Sequence, residues 1–299
     1  MAAEAHGCVT GEYGRRGLLA LLILTWATSW PLIKVGVATV PPIWYACFRY
    51  WIAALCLFAL VAARREAAFP PRADWPLVLI SGVFQMAAYS ALSAFALTML
   101  PPGRASVLAF STPIWVVPLA AWWLGERVSP AALLGVGLGL LGALAIAAPA
   151  LHPGRVGEVL AYATLLGAAV SWAISIVAVR AHRFTATTLA LAPWQTLVAA
   201  LLLLPAALIA EGSPRPVGVV GAASLAFVGP IATAFAYWAV VETGRHFKAA
   251  TLSMALLATP PVGILLSALA LDEAVGPSLV AGAALIAAGI RLAVPRRAG

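Results

Sequence analysis

The sequence predicts an all-α integral membrane protein of ten transmembrane helices, arranged as two five-helix halves of opposite orientation with both termini on the inner side. Three observations carry the prediction. The first is composition: 63% of the 299 residues are hydrophobic and only 9% are charged, against roughly 25% charged in soluble domains. Apolar runs of about 20 residues, enough to cross a hydrocarbon core of about 30 Å, recur along the whole chain. The second is an internal duplication, found by sliding the chain along itself by 147 positions. Thr112-Pro113 then falls on Thr259-Pro260, Leu124 on Leu271, Glu126 on Glu273, Pro130 on Pro277, Gly135 on Gly282 and Gly142 on Gly289, with no gap. The third is the bias of basic residues between the two sides of the membrane.

Taken in order, the helices are read as 17–37, 42–62, 75–99, 104–124, 131–149, 157–180, 187–210, 217–241, 250–271 and 277–294, joined by short connections rich in Pro, Gly and charge. The first 17 residues lack the order of features that makes a signal peptide, so the first apolar run is expected to remain as a membrane helix. With the N-terminus inside, thirteen Lys and Arg residues lie on the inner side. Only Lys34, Arg104, Arg155 and Arg215 lie outside, and Arg49 falls within a helix. This asymmetry predicts the N-in, C-in orientation. The formal charge of +8 is thereby a topology signal and implies no nucleic-acid partner. Cys8, Cys47 and Cys56 are too few and too scattered for a disulfide framework and read as small apolar residues.

Five helices per half is an odd number, so the halves, 1–149 and 150–299, must run in opposite senses. Inverted repeats of this kind are typical of secondary transporters, whose substrate site lies near the midplane between the halves. The first helices agree at an offset of 146, which aligns Trp26 with Trp172, Ser29 with Ser175, Lys34 with Arg180 and, one helix on, Arg49 with Gln195. In the third helices Gly82 meets Gly229.

With Trp-Ala-Thr-Ser-Trp-Pro at 26–31, Phe-Arg-Tyr at 48–50 and Leu-Gly-Glu-Arg at 124–127, the chain resembles the drug/metabolite transporter superfamily and its EamA-type exporters over essentially its whole length. Within that group it looks most like YddG-type exporters of aromatic and other neutral amino acids. The second copy departs from the pattern, with Asp272 where the first has Gly125. The resemblance implies export of small neutral metabolites, amino acids first, across a bacterial cytoplasmic membrane. A proton-coupled exporter of drugs or other metabolites is the alternative within the superfamily. An intramembrane enzyme is the alternative of another class. It would need a nucleophile with a base or a metal site at membrane depth, and the sequence offers neither, nor a motif for a cofactor.

Candidate cavity residues follow from the rule that polar and aromatic groups at membrane depth turn inward. They are Trp26 and Ser29 in helix 1, Gln85, Tyr89 and Ser93 in helix 3, Trp115 in helix 4, and Trp172, Ser175, Tyr237, Trp238 and Ser253 in the second half. A cavity lined in this way suits a small neutral molecule with an apolar or aromatic side chain. Arg49, the one charge well inside a helix, can pair with a substrate carboxylate or with backbone carbonyls and neighbouring helix ends. Every Asp, Glu and His falls in a tail, a loop or a helix end. No proton relay is therefore visible, and uncoupled transport or exchange is expected. Glu126 and Glu273, in turns just ahead of helices 5 and 10, are expected to cap the starts of those helices, and Lys34 to snorkel to the surface. Trp44, Trp75, Trp122 and Trp123 read as interface anchors. Pro31, Pro113, Pro118, Pro230, Pro260 and Pro261 are expected to kink or loosen their helices and serve gating. The glycines of helices 5 and 10 are expected to form a close-packed scaffold. The oligomeric state is left open.

Overall fold

The computed structural model describes residues 12–65, 69–150, 156–182, 185–246, 255–256 and 258–293, which contain helices and no strand. In chain order these are α1 (Glu12–Val37), α2 (Pro42–Ala63), α3 (Arg72–Met99), α4 (Pro102–Leu124), α5 (Pro130–Ala147), α6 (Val156–Ala181), α7 (Thr188–Glu211), α8 (Val219–Val240, helical on to His246), α9 (Thr259–Leu271) and α10 (Pro277–Ala293). The first eight are long and apolar enough to cross a membrane, while α9 and α10 are shorter apolar helices. The chain is thus a multi-pass membrane protein. The predicted ninth helix, 250–271, is seen only from Thr259; its first turns, with Ser253, lie outside the described residues. Helix 1 is already helical at Glu12, the first described residue and five ahead of the expected start, and α8 begins two residues later than expected.

Two helices depart from regular α geometry at matched places. In α3 the stretch Ser81–Ala88 is π-helical, and in α8 so is Pro230–Phe235. The aligned glycines sit at these sites because another helix leaves no room for a side chain. A Cβ on Gly82 would stand 2.7 Å from Val198 Cγ1 on α7, and one on Gly229 would stand 2.6 Å from Ile52 Cγ2 on α2. α4 is interrupted at Phe110–Ser111 and restarts at Thr112. The prolines therefore divide into two groups. Pro31 and Pro118 lie inside continuous helix. Pro113, Pro230, Pro260 and Pro261 lie in the first turns of segments that follow a break or begin a π stretch, where the missing N–H costs little.

The packing pairs repeat when each helix is exchanged with the one five places along. α1 packs on α8 and α9, and α6 on α3 and α4; α2 packs on α8, and α7 on α3. α2 with α7, α5 with α10, and α4 with α9 are their own counterparts. In α5 and α10 small residues bring backbones together as expected: a Cβ on Gly142 would lie 2.7 Å from Gly282 O, and one on Gly289 would lie 2.5 Å from Gly135 O. The departure at Asp272 also has a local reason. Gly125 ends α4 at φ +65° and Asp272 ends α9 at φ +51°, the left-handed capping conformation that glycine favours and Asp tolerates.

Carboxylates tie helix starts together, but across the molecule and not beside their own turns. Glu273 accepts from the N–H groups of Gly103 (2.7 Å) and Arg104 (3.2 Å) at the start of α4, not from α10. Burial pushes its carboxyl above the usual range, opposed by those two N–H groups and by the charges of Arg104 and Lys34. Glu211, at the end of α7, accepts from Ile43 N and Trp44 N, both at 2.9 Å, at the start of α2. The fully buried Asp74 accepts from Thr185 N, Thr185 Oγ1, Ala186 N and His182 Nε2 just before α7. Glu126 caps nothing among the described residues and pairs with Arg180 at 2.6 Å on the surface, a contact worth little. Two further expectations change. Lys34 is half-buried and donates to Leu97 O (2.7 Å) and Thr98 O (3.3 Å), closing the end of α3. Trp44 is buried, with its indole N–H on Gly212 O at 3.0 Å. Trp122 and Trp123 are exposed, as interface anchors should be.

Candidate functional site

Four aromatic rings from four helices meet in the interior. Trp26 (α1) and Trp172 (α6), aligned in the sequence, stand edge to face with centroids 6.3 Å apart and planes at 88°. Tyr89 (α3) meets Trp172 at 4.7 Å and 79°, and Phe110 (α4) meets Trp26 at 6.5 Å and 61°. Such T-shaped contacts are the geometry aromatic quadrupoles prefer. Phe110 occupies the interruption of α4 and is joined there by Trp115, whose indole N–H donates to Ser111 Oγ at 3.3 Å.

Arg49 lies beside this cluster. Its Nε donates to Thr233 Oγ1 in the π stretch of α8 at 2.7 Å, and its guanidinium carbon sits 5.5 Å from the centre of the Tyr50 ring. Tyr89 and Tyr237 are both within electrostatic range of it. Among the described residues no carboxylate pairs with Arg49 and its two terminal nitrogens donate to no protein group. A half-buried cation with an open fork of donors can take a carboxylate.

A second polar group clamps the π stretch of α3. Ser171 Oγ donates to Phe84 O (2.6 Å), Ser175 Oγ to Gln85 Oε1 (3.0 Å), and the hydroxyls of Ser81 and Ser175 are 3.1 Å apart. Tyr50 and Ser90 share a hydrogen bond of 2.9 Å nearby. Each π stretch is thus held by side chains of the other half, with serines for α3 and a cation for α8.

The structure brings Trp26, Tyr89 and Trp172 together, leaves Arg49 and Tyr237 within electrostatic range of Tyr89, and puts Gln85 with Ser175. Trp115 reaches the edge of this group beside Phe110; Ser29 and Trp238 make other contacts. The Ser29 hydroxyl donates to Trp26 O in its own helix at 2.7 Å. Ser93 is buried one turn along α3 from Tyr89, beside its phenol. Trp238 packs against Phe235 and, like Trp26, on the apolar cluster of Leu18, Leu19 and Leu22 of α1, its indole N–H buried without a partner among the described residues. Sequence reasoning missed Tyr50, Phe110 and Thr233. Tyr50 was in view, next to Arg49 in the Phe-Arg-Tyr triplet; Thr233 follows the aligned Gly229 by four residues. Two shallow apolar grooves, one between α4 and α5 around Pro118 and Trp122, the other between α2 and α8 around Phe48 and Trp51, lie apart from this centre. No group of three or more metal-ligating side chains occurs among the described residues.

A multi-pass helical fold, with charge and aromatic rings gathered in its interior, defines a class of membrane carrier. The sequence profile of the EamA-like transporter family matches residues 16–148 and again 159–294. The chain belongs to the EamA-like transporter family, whose members are transporters and not enzymes. Among its relatives is a "probable terminal-alkyne amino-acid exporter" of Streptantibioticus cattleyicolor, 30% identical, with 94% of this chain and 93% of that protein aligned. The "aromatic amino acid exporter YddG" of Ancylobacter novellus is 28% identical, with 91% and 93% aligned. A solved crystal structure, 27% identical, superposes with a TM-score of 0.63 over 92% of this chain and 95% of the other.

Proposed function

We propose that this transporter exports small neutral amino acids, aromatic ones among them, across the bacterial cytoplasmic membrane. It does so by alternating access between two inverted five-helix halves, 1–149 and 150–299, with both termini inside. The observation that carries the reading is Arg49, with no carboxylate partner among the described residues, set beside a wall of indole, phenol and phenyl rings that share Tyr89. The guanidinium fork receives the substrate carboxylate, and the rings receive an apolar or aromatic side chain. The family profile's two matches and the packing pairs that recur five helices apart support the inverted halves. The printed names of the relatives support amino acids as the class. The exposed leucines along α5 face lipid in this arrangement.

Transport is uncoupled or exchange-driven, because the described residues of the ring cluster and the Arg49 neighbourhood include no carboxylate or histidine. Counterflow in proteoliposomes preloaded with unlabelled tryptophan, threonine, methionine or a lipophilic cation tests the substrate class. Labelled amino acid is expected to accumulate in the vesicles preloaded with amino acids. Accumulation with the cation alone moves the carrier to drug export, a substrate that the charge of Arg49 repels.

A further inference from the structure

Thr233 lies within the π stretch of α8, and its hydroxyl follows that register. It is buried, and its hydroxyl hydrogen bonds back to Val228 O, five residues earlier, at 2.8 Å. The same register appears in the backbone, where Ala234 N donates to Gly229 O at 3.1 Å. With the hydroxyl proton committed to a main-chain carbonyl, the oxygen is left as an acceptor, and it accepts Arg49 Nε at 2.7 Å. π stretches inside α-helices are frequent at functional sites.

We infer that Thr233 is the positioning residue for substrate recognition, holding the Arg49 guanidinium so that its two terminal nitrogens, and not its Nε edge, meet the substrate carboxylate end-on. This rests on the reading of Arg49 as the carboxylate site. A guanidinium can bind a carboxylate through either edge, and Thr233 occupies the edge that contains Nε. Being neutral, Thr233 fixes orientation without cancelling charge; an Asp or Glu in its place would neutralise Arg49 and remove the attraction for an anion. The Tyr50 ring, its centre 5.5 Å from the guanidinium carbon, adds a cation–π attraction to the same group. The two partners come from opposite halves, Arg49 from α2 and Thr233 from α8, so the carboxylate site is complete only while these helices stay packed at Gly229 and Ile52.

The test compares wild type with Thr233→Val and Thr233→Ser in proteoliposomes, measuring tryptophan KM and maximal rate and the inhibition of tryptophan transport by tryptamine, which lacks the carboxylate. Thr233→Val is expected to raise the tryptophan KM on the order of tenfold, the scale of one hydrogen bond to a charged group, with the maximal rate and tryptamine inhibition unchanged. Thr233→Ser should restore the wild-type KM. If Thr233→Val does not fold, Thr233→Cys, a weak acceptor, is measured in its place with the same expectation. An unchanged KM, or equal weakening of tryptophan and tryptamine, overturns the role given to Thr233. Arg49→Gln separates the two claims. If it leaves the discrimination of tryptophan from tryptamine intact, the carboxylate site itself is elsewhere. If it abolishes discrimination while Thr233→Val does not, only the positioning role fails.

Discussion

Arg49 shows what one residue can and cannot say before a structure is known. Its depth within an apolar helix marked it in the sequence as costly and inward-facing, and that much was legible. Its partner was not: Thr233 reaches it through a π register that no periodicity in the sequence announces. Replacing Arg49 with Lys keeps the charge but removes the planar fork, so tryptophan KM should rise about tenfold or more in transport assays, the scale of a lost hydrogen bond to a charged group. An unchanged KM would show that a point charge suffices. At the membrane surface, Glu273 allows a signed prediction. Burial holds its folded carboxyl above the usual value near 4.5, so the native state binds its proton more tightly than the unfolded chain. Its contribution to stability is present below that value and declines as pH rises through the folded one. In detergent melting curves, wild type should lose stability relative to Glu273→Gln over that rise; a constant difference would mean that the caps on Gly103 and Arg104 offset the burial. The sequence marked Glu273 as a helix cap but pointed to the wrong helix, because a carboxylate in a turn can reach any helix start that packs beside it.

Among the elements, α5 and α10 were the most readable, since glycine spacing alone announces close backbones. Gly142→Leu should destabilise the protein by about 1–3 kcal/mol, seen as a lower melting temperature. The new Cβ meets Gly282 O at 2.7 Å and Ile286 N at 3.0 Å, backbone atoms that cannot rotate away. A wild-type melting temperature in that variant would mean that the helices can part without cost. α4 was only half legible. Thr-Pro at 112–113 promised a kink, but the interruption falls just ahead of it, at Phe110–Ser111, and carries a ring into the aromatic cluster. The segment before the break packs on α9, and a Cβ on Gly263 would lie 3.7 Å from Ser106 Cβ, within disulfide reach. In a background free of native cysteines, Ser106→Cys with Gly263→Cys should cross-link on oxidation, lose most transport, and recover it on reduction. Full transport by the oxidised protein would contradict any mechanism in which α4 and α9 separate.

For the whole molecule, composition disclosed the membrane class, because lipid tolerates few solutions, and the 147-residue register is consistent with packing pairs that recur five helices apart. The site was less legible. Of the residues chosen for membrane depth, Ser29 bonds within its own helix and the buried indole N–H of Trp238 finds no partner among the described residues, because depth says nothing of azimuth. What remains is the claim that this interior binds a neutral amino acid and carries it without an ion gradient. The most direct measurement is counterflow of labelled tryptophan in wild-type and Arg49→Gln proteoliposomes with pH equal on both sides and the membrane potential clamped at zero. The account predicts transient accumulation of label in wild type and its loss in Arg49→Gln. Accumulation by wild type only when a proton gradient is imposed, or equal accumulation by both proteins, would contradict it.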